Sequence, residues 1–322
     1  MRLIERIFYL NKLKDVMGTP DIKVITGVRR SGKSKLLESF LSYVQENDSN
    51  ANIIHQKMIA QDLECQKIIA EMHAVEKFLS DFSFLSFGRD FVLCGKYTFS
   101  LQLISTAFEL TTGSIISCCE SGCIADAYSL MRKYRDDLFF YLYIVLYDSC
   151  NKLDGKLPET DQMEANIERW IKNDLNDLHI GTVLQAIGQS SRVRNAVQKY
   201  KLKSYFDTLN KRLNDYVHSN GLAFYNRNVN TYQGKTLQKQ LQSLMTDMRS
   251  ITITFLFLLT LCAPLSIMST DYVDCLDCNM TPPDGSQYWV APFVTAFFKR
   301  NIDLIDESCM KYLHDNTLME FE

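Results

Sequence analysis

Ala125-Asp126-Ala127-Tyr128-Ser129-Leu130-Met131-Arg132-Lys133-Tyr134-Arg135-Asp136-Asp137-Leu138-Phe139-Phe140-Tyr141-Leu142-Tyr143-Ile144-Val145-Leu146-Tyr147-Asp148-Ser149-Cys150 runs for 26 residues without a glycine or a proline. Leu130, Leu138, Leu142, Val145 and Leu146 recur at the spacings of one helical face, and no breaker interrupts them. A helix over about 124–151 follows, longer than strands usually run. Working outward, two helices are expected upstream, Gln61–Phe82 and Tyr97–Glu109, with an aromatic, glycine-containing stretch around Phe84–Gly95 between them. Downstream, Asn151–Asp161 reads as a polar loop with Pro158. Helices over Gln162–Leu178, Thr182–Gln189, Ser191–Tyr200 and Lys203–Val217 come next. The fold class is mainly α, with a helical bundle over 58–235.

Residues 236–322 contain a second decisive stretch. Ile251–Thr270 is uncharged over 20 residues and rich in Phe, Leu and Ile. That length spans a bilayer, and Lys235, Lys239 and Arg249 upstream would hold the N-terminal side in the cytoplasm. Membrane insertion is the favoured reading, although Pro264 and several Thr and Ser are also compatible with the central helix of a soluble bundle. The chain is therefore expected to be cytoplasmic, or anchored in an inner membrane through 251–270. In the anchored case, Tyr288-Trp289 and Phe297-Phe298 would sit at headgroup level.

At the other end of the chain, Gly27-Val28-Arg29-Arg30-Ser31-Gly32-Lys33-Ser34 fits G-x-x-x-x-G-K-[ST] at every fixed position. Ile22-Lys23-Val24-Ile25-Thr26 before it reads as a short buried strand, entered through a turn with Gly18, Pro20 and Asp21. Leu36, Leu37, Phe40, Leu41 and Val44 after it fall at helical spacing. Strand, loop and helix in this order present backbone N–H groups and a helix N-terminus to phosphate oxygens. Gly27, Arg30, Ser31, Gly32, Lys33 and Ser34 are the expected nucleotide-binding residues. Lys33 would reach the β and γ phosphates, and Ser34 would place its hydroxyl on the magnesium that accompanies them. The cofactor implied is ATP with magnesium.

Residues 1–9, Pro20–Gly27 and Arg29–Leu37 resemble the start of prokaryotic AAA-type ATPases that carry an ITGxRRxGKS loop. The resemblance covers about 55 residues, to Ala51-Asn52-Ile53-Ile54-His55, where that family would begin its second strand. It implies a nucleotide-binding module of which only the opening is present. Hydrolysis needs an acid after a buried strand. Leu142–Asp148 is the best apolar run ending in one, but Ser149 follows where the family has glutamate, and the run lies inside the long helix. Binding is expected, and turnover has no identifiable acid.

Composition fits a globular chain large enough for two domains, with a net charge of −3 that gathers no polyanion over the whole surface. Residues 1–57 carry ten Lys and Arg against six Asp and Glu. This basic segment ends where Met58 opens a stretch that reads as a separate helical protein, so the expected domains are 1–57, 58–235 and 236–322. Ten cysteines without a signal-like apolar core at Met1–Glu5 suggest reduced thiols. Cys275-Leu276-Asp277-Cys278 has the spacing of half a zinc site or a redox pair, or of a disulfide if the tail is exported. Cys309 and His314 are the nearest candidates for the other half.

Arg212-Leu213-Asn214-Asp215-Tyr216-Val217-His218 resembles the Arg-x(4-6)-His motif of HEPN-type domains, helical bundles many of which are metal-independent ribonucleases of toxin and phage-defence systems. The resemblance implies RNA as substrate and a homodimer. It gives His218 proton transfer at the ribose or leaving oxygen, and Arg212 charge stabilisation at the phosphate. Histidine suits the task because it titrates near neutral pH. A spacing of six puts the two roughly 120° apart on a straight helix, and His218 before Asn220-Gly221 also fits a C-terminal cap. Three functions stay open: nucleotide binding, a HEPN-like ribonuclease, and a non-catalytic membrane-anchored interaction protein.

Overall fold

The computed structural model describes residues 7–17, 33–47, 62–85, 91–153, 158–174, 179–191, 193–217 and 234–321. The chain divides into two compact units, Met1–His55 and Gln56–Glu322. In the first, α1 (Ile7–Asp15) packs on α2 (Lys33–Asn47). Lys14 Nζ stands 3.7 Å from the centroid of the Tyr43 ring, within cation–π range. The strand expected at 22–26 lies outside the described residues.

The second unit is a helical bundle. Its elements are α3 (Leu63–Leu85), a hairpin of β1 (Phe91–Cys94) and β2 (Tyr97–Ser100), α4 (Gln102–Glu120), α5 (Ile124–Leu153) and α6 (Pro158–Ile171). Then come α7 (Ile180–Gln189), α8 (Arg194–Lys199), α9 (Leu202–Val217), α10 (Gly234–Cys262), α11 (Asp271–Asp277), α12 (Pro292–Asn301) and α13 (Cys309–Thr317). The decisive stretch is α5. Leu138, Phe139 and every residue from Tyr141 to Tyr147 are buried, as expected of a helix apolar on all sides. It is wrapped by α4, α6, α7, α9 and α10.

α10 is the other central helix, and Ile251–Cys262 is buried throughout. Thr236–Cys262 is long and apolar enough to cross a membrane, yet 89 % of its most apolar stretch is buried inside the bundle. Its hydroxyls find local acceptors: Thr260 Oγ1 donates to Leu256 O at 2.8 Å, and Thr252 lies 2.6 Å from the Tyr134 hydroxyl of α5. Such pairing removes the cost of burying them. The uncharged stretch does not continue as helix to Thr270. Ala263 turns out (φ −145°, ψ 72°) into a 3-10 turn over Pro264–Ile267, because a residue before proline disfavours the helical region.

Phe82 of α3, Phe108 of α4, Tyr141 of α5 and Phe255 of α10 meet at the centre. Their ring centroids are 5.8–6.2 Å apart in edge contacts, a favoured aromatic geometry. One ring from each of four helices fixes their mutual packing.

The hairpin corrects the sequence expectation of a helix from Tyr97. Tyr97–Ser100 pairs antiparallel with Phe91–Cys94, and the helix starts only at Gln102, continuing to Glu120. Gly95 makes the turn with φ 55°, and a Cβ there would stand 2.0 Å from Glu168 Oε1. Similarly, Pro158 opens α6 instead of lying in a loop before it. Proline fits the first helical position, where its missing N–H is not needed.

Candidate functional site

Of the phosphate-loop residues, Gly27, Arg30, Ser31 and Gly32 lie outside the described residues. Lys33 and Ser34 are the first two residues of α2. The helix thus begins at the lysine of the motif, and its first turn carries no acidic residue. A helix N-terminus without a carboxylate favours an anion there. Asp148 lies within α5, a helix of the second unit. The strand that a magnesium-binding acid would follow is absent from that position.

The second candidate site centres on α9, whose Leu202, Phe206, Leu209 and Leu213 face the core. That register brings Arg212 to the seam with α10, where its Nη2 donates to Asp247 Oδ1. The Arg212 side chain is 40 % exposed and that of Asp247 is 7 % exposed. Asp247 Oδ2 and Arg212 Nε are buried without a hydrogen-bond partner. Burial pushes the Asp247 carboxyl up to about 6, against the downward pull of Arg212. Tyr128 of α5 closes one side: its hydroxyl donates to Ser243 Oγ at 3.3 Å, and its ring stacks on Tyr216 at 4.1 Å.

Chemically, the seam between α9 and α10 pairs a carboxyl that burial pushes up to about 6 with a fixed cation. His218 lies outside the described residues, so its distance from Arg212 is not part of this geometry. Asp247 was not singled out in the sequence. A lone acid among Met245, Met248 and Ile251 was the available signal, since buried acids are uncommon unless paired.

A third set of polar side chains gathers on α7, α8 and α9 around a cleft of about 800 Å³. The nine described cysteines are free thiols. Cys278 is exposed and Cys309 is buried, and no group of three or more potential ligands is assembled for a metal among the described residues. Comparison of the chain with protein-family models, with curated proteins and with solved structures gives no match in any of the three.

Proposed function

We propose that the chain binds ATP with magnesium through the loop that ends at Lys33 and Ser34. The observation that carries this reading is the start of α2 at Lys33 with no acid in its first turn. A phosphate-binding loop requires its helix to begin there, so that the first N–H groups and the positive end of the helix meet the phosphates. Lys33 then neutralises the β and γ phosphates, Ser34 offers its hydroxyl to magnesium, and Gly27 and Gly32 let the backbone approach. Magnesium held there would supply positive charge against the phosphates.

The activity proposed is binding. Among the described residues neither strand is followed by an acid, since Gly95 follows β1 and Leu101 follows β2. Asp247 holds Arg212 in an ion pair, which favours a structural role for this arginine over one at a scissile phosphate. We also read α10 as the core helix of the bundle, because lipid-facing positions would need an exposed apolar face and α10 has nearly none.

Isothermal titration calorimetry of the full chain with Mg-ATP tests the proposal. Lys33→Ala should weaken binding by about tenfold or more, the equivalent of about 1.4 kcal/mol. Equal affinity in the two proteins would remove the phosphate loop from the binding site.

A further inference from the structure

The cleft between α7 and the α8–α9 corner belongs to neither site above. Leu184 and Phe206 are among its apolar lining residues, and Gln185, Gln189, Lys201 and Lys203 among its polar ones. At about 800 Å³ it falls within the size range of small-molecule sites. Asp207 is the one carboxylate among its described lining residues.

Three features shape it for a ligand. First, Gly181 and Gly188 lie seven residues apart on α7, and both line the cleft. A Cβ at Gly181 would meet nothing within 4 Å, and one at Gly188 only Val197 Cγ1 at 4.0 Å. Neither glycine has a positive φ. Glycine destabilises a helix relative to alanine, and neither packing nor backbone conformation asks for it here. The space above these two positions is kept open.

Second, Lys201 is held in the left-handed region, φ 52°, by its own N–H on Gln198 O at 3.2 Å and by Ser204 N–H on its carbonyl at 3.1 Å. This sharp corner sets Lys201 and Lys203 on the same cleft, neither ion-paired with a described residue. Third, Asn210 Oδ1 accepts from Nη1 of Arg135, a side chain only 1 % exposed. With its oxygen committed to this buried guanidinium, Asn210 has its amide hydrogens left for the cleft.

The geometry points to a nucleoside monophosphate as the ligand of this cleft. A flat base covers the apolar surface and meets the glutamine amides at its edge. Asp207 accepts from a ribose hydroxyl, and Lys201 with Lys203 takes the phosphate. The site is independent of the proposed ATP loop.

The test uses the full chain carrying Lys33→Ala, so that the loop does not contribute. Calorimetric titration with AMP, GMP, CMP and UMP should show binding by at least one. The matching nucleoside, and inorganic phosphate alone, should each bind at least about tenfold more weakly. Gly188→Leu fills the open space and improves the helix, so it should weaken binding at least about tenfold while the melting temperature holds or rises. Lys203→Gln should weaken the monophosphate but leave the nucleoside unchanged. No binding by any of the four at millimolar concentration overturns the assignment. So does an affinity unmoved by Gly188→Leu in a folded protein, or a nucleoside that binds as tightly as its monophosphate.

Discussion

Asp247 shows how much one buried side chain decides. Its carboxyl titrates at about 6 in the folded chain and near ~4 when unfolded. The folded state therefore holds the proton more tightly. The stability this gives is fully present below about pH 4 and is lost as pH rises through about 6. Asp247→Asn stays neutral over that range, and Arg212, being partly exposed, reaches water once its partner is gone. Between pH 4 and 7 the variant should gain on the order of 3 kcal/mol relative to the parent. Urea unfolding of both proteins at the two pH values measures the difference, and parallel pH profiles would show that Asp247 does not titrate in this range. Gly95 was legible as a turn residue from its type alone. What was not legible is the close approach of Glu168, which comes from a helix far along the chain.

Among the elements, the long periodic ones were readable and the short ones were not. α5 and α9 announced themselves by uninterrupted apolar spacing, and their bounds lie close to the expected 124–151 and 203–217. The hairpin was hidden because Phe91-Val92-Leu93-Cys94 and Tyr97-Thr98-Phe99-Ser100 are only four residues each. Their apolar and aromatic residues merge with the helix that follows. The two-residue Gly95-Lys96 turn between them was the signal that separates them.

Contacts between elements were invisible in the sequence, and Arg249 is the clearest of them. From α10 its Nε donates to Asn301 Oδ1, its Nη2 to Arg300 O at 3.1 Å and its Nη1 to Glu71 Oε2 at 3.3 Å. One guanidinium thereby ties α10 to α3 and α12. Arg249→Ala leaves Asn301, 1 % exposed, with an unsatisfied oxygen and should cost about 2–3 kcal/mol. Arg249→Lys should recover only part of it, since an ammonium lacks the planar fork. Denaturant unfolding gives both values, and a loss below about 0.5 kcal/mol, usual for a surface change, would dismiss the clamp.

On the scale of the whole molecule, membrane span and core helix were one pattern in the sequence. Length and hydropathy are the same for both, and only the neighbours of a helix separate them. With α10 enclosed by α3, α5, α12 and α13, carbonate washing of cell membranes should release the chain into the supernatant. Retention in the pellet would return α10 to the bilayer. The proposed phosphate loop is a contiguous pattern that a sequence displays by itself, whereas the cleft proposed for a monophosphate is assembled from three helices and had no motif to read.

The aromatic quartet also bears on how the protein is made. Phe82, Phe108 and Tyr141 leave the ribosome long before Phe255. At translation rates of about 5–20 residues per second, the first three helices wait on the order of ten seconds for the ring that completes their centre. Through that interval the nascent chain displays the apolar faces it will later bury, and it is then that a chaperone has most to hold.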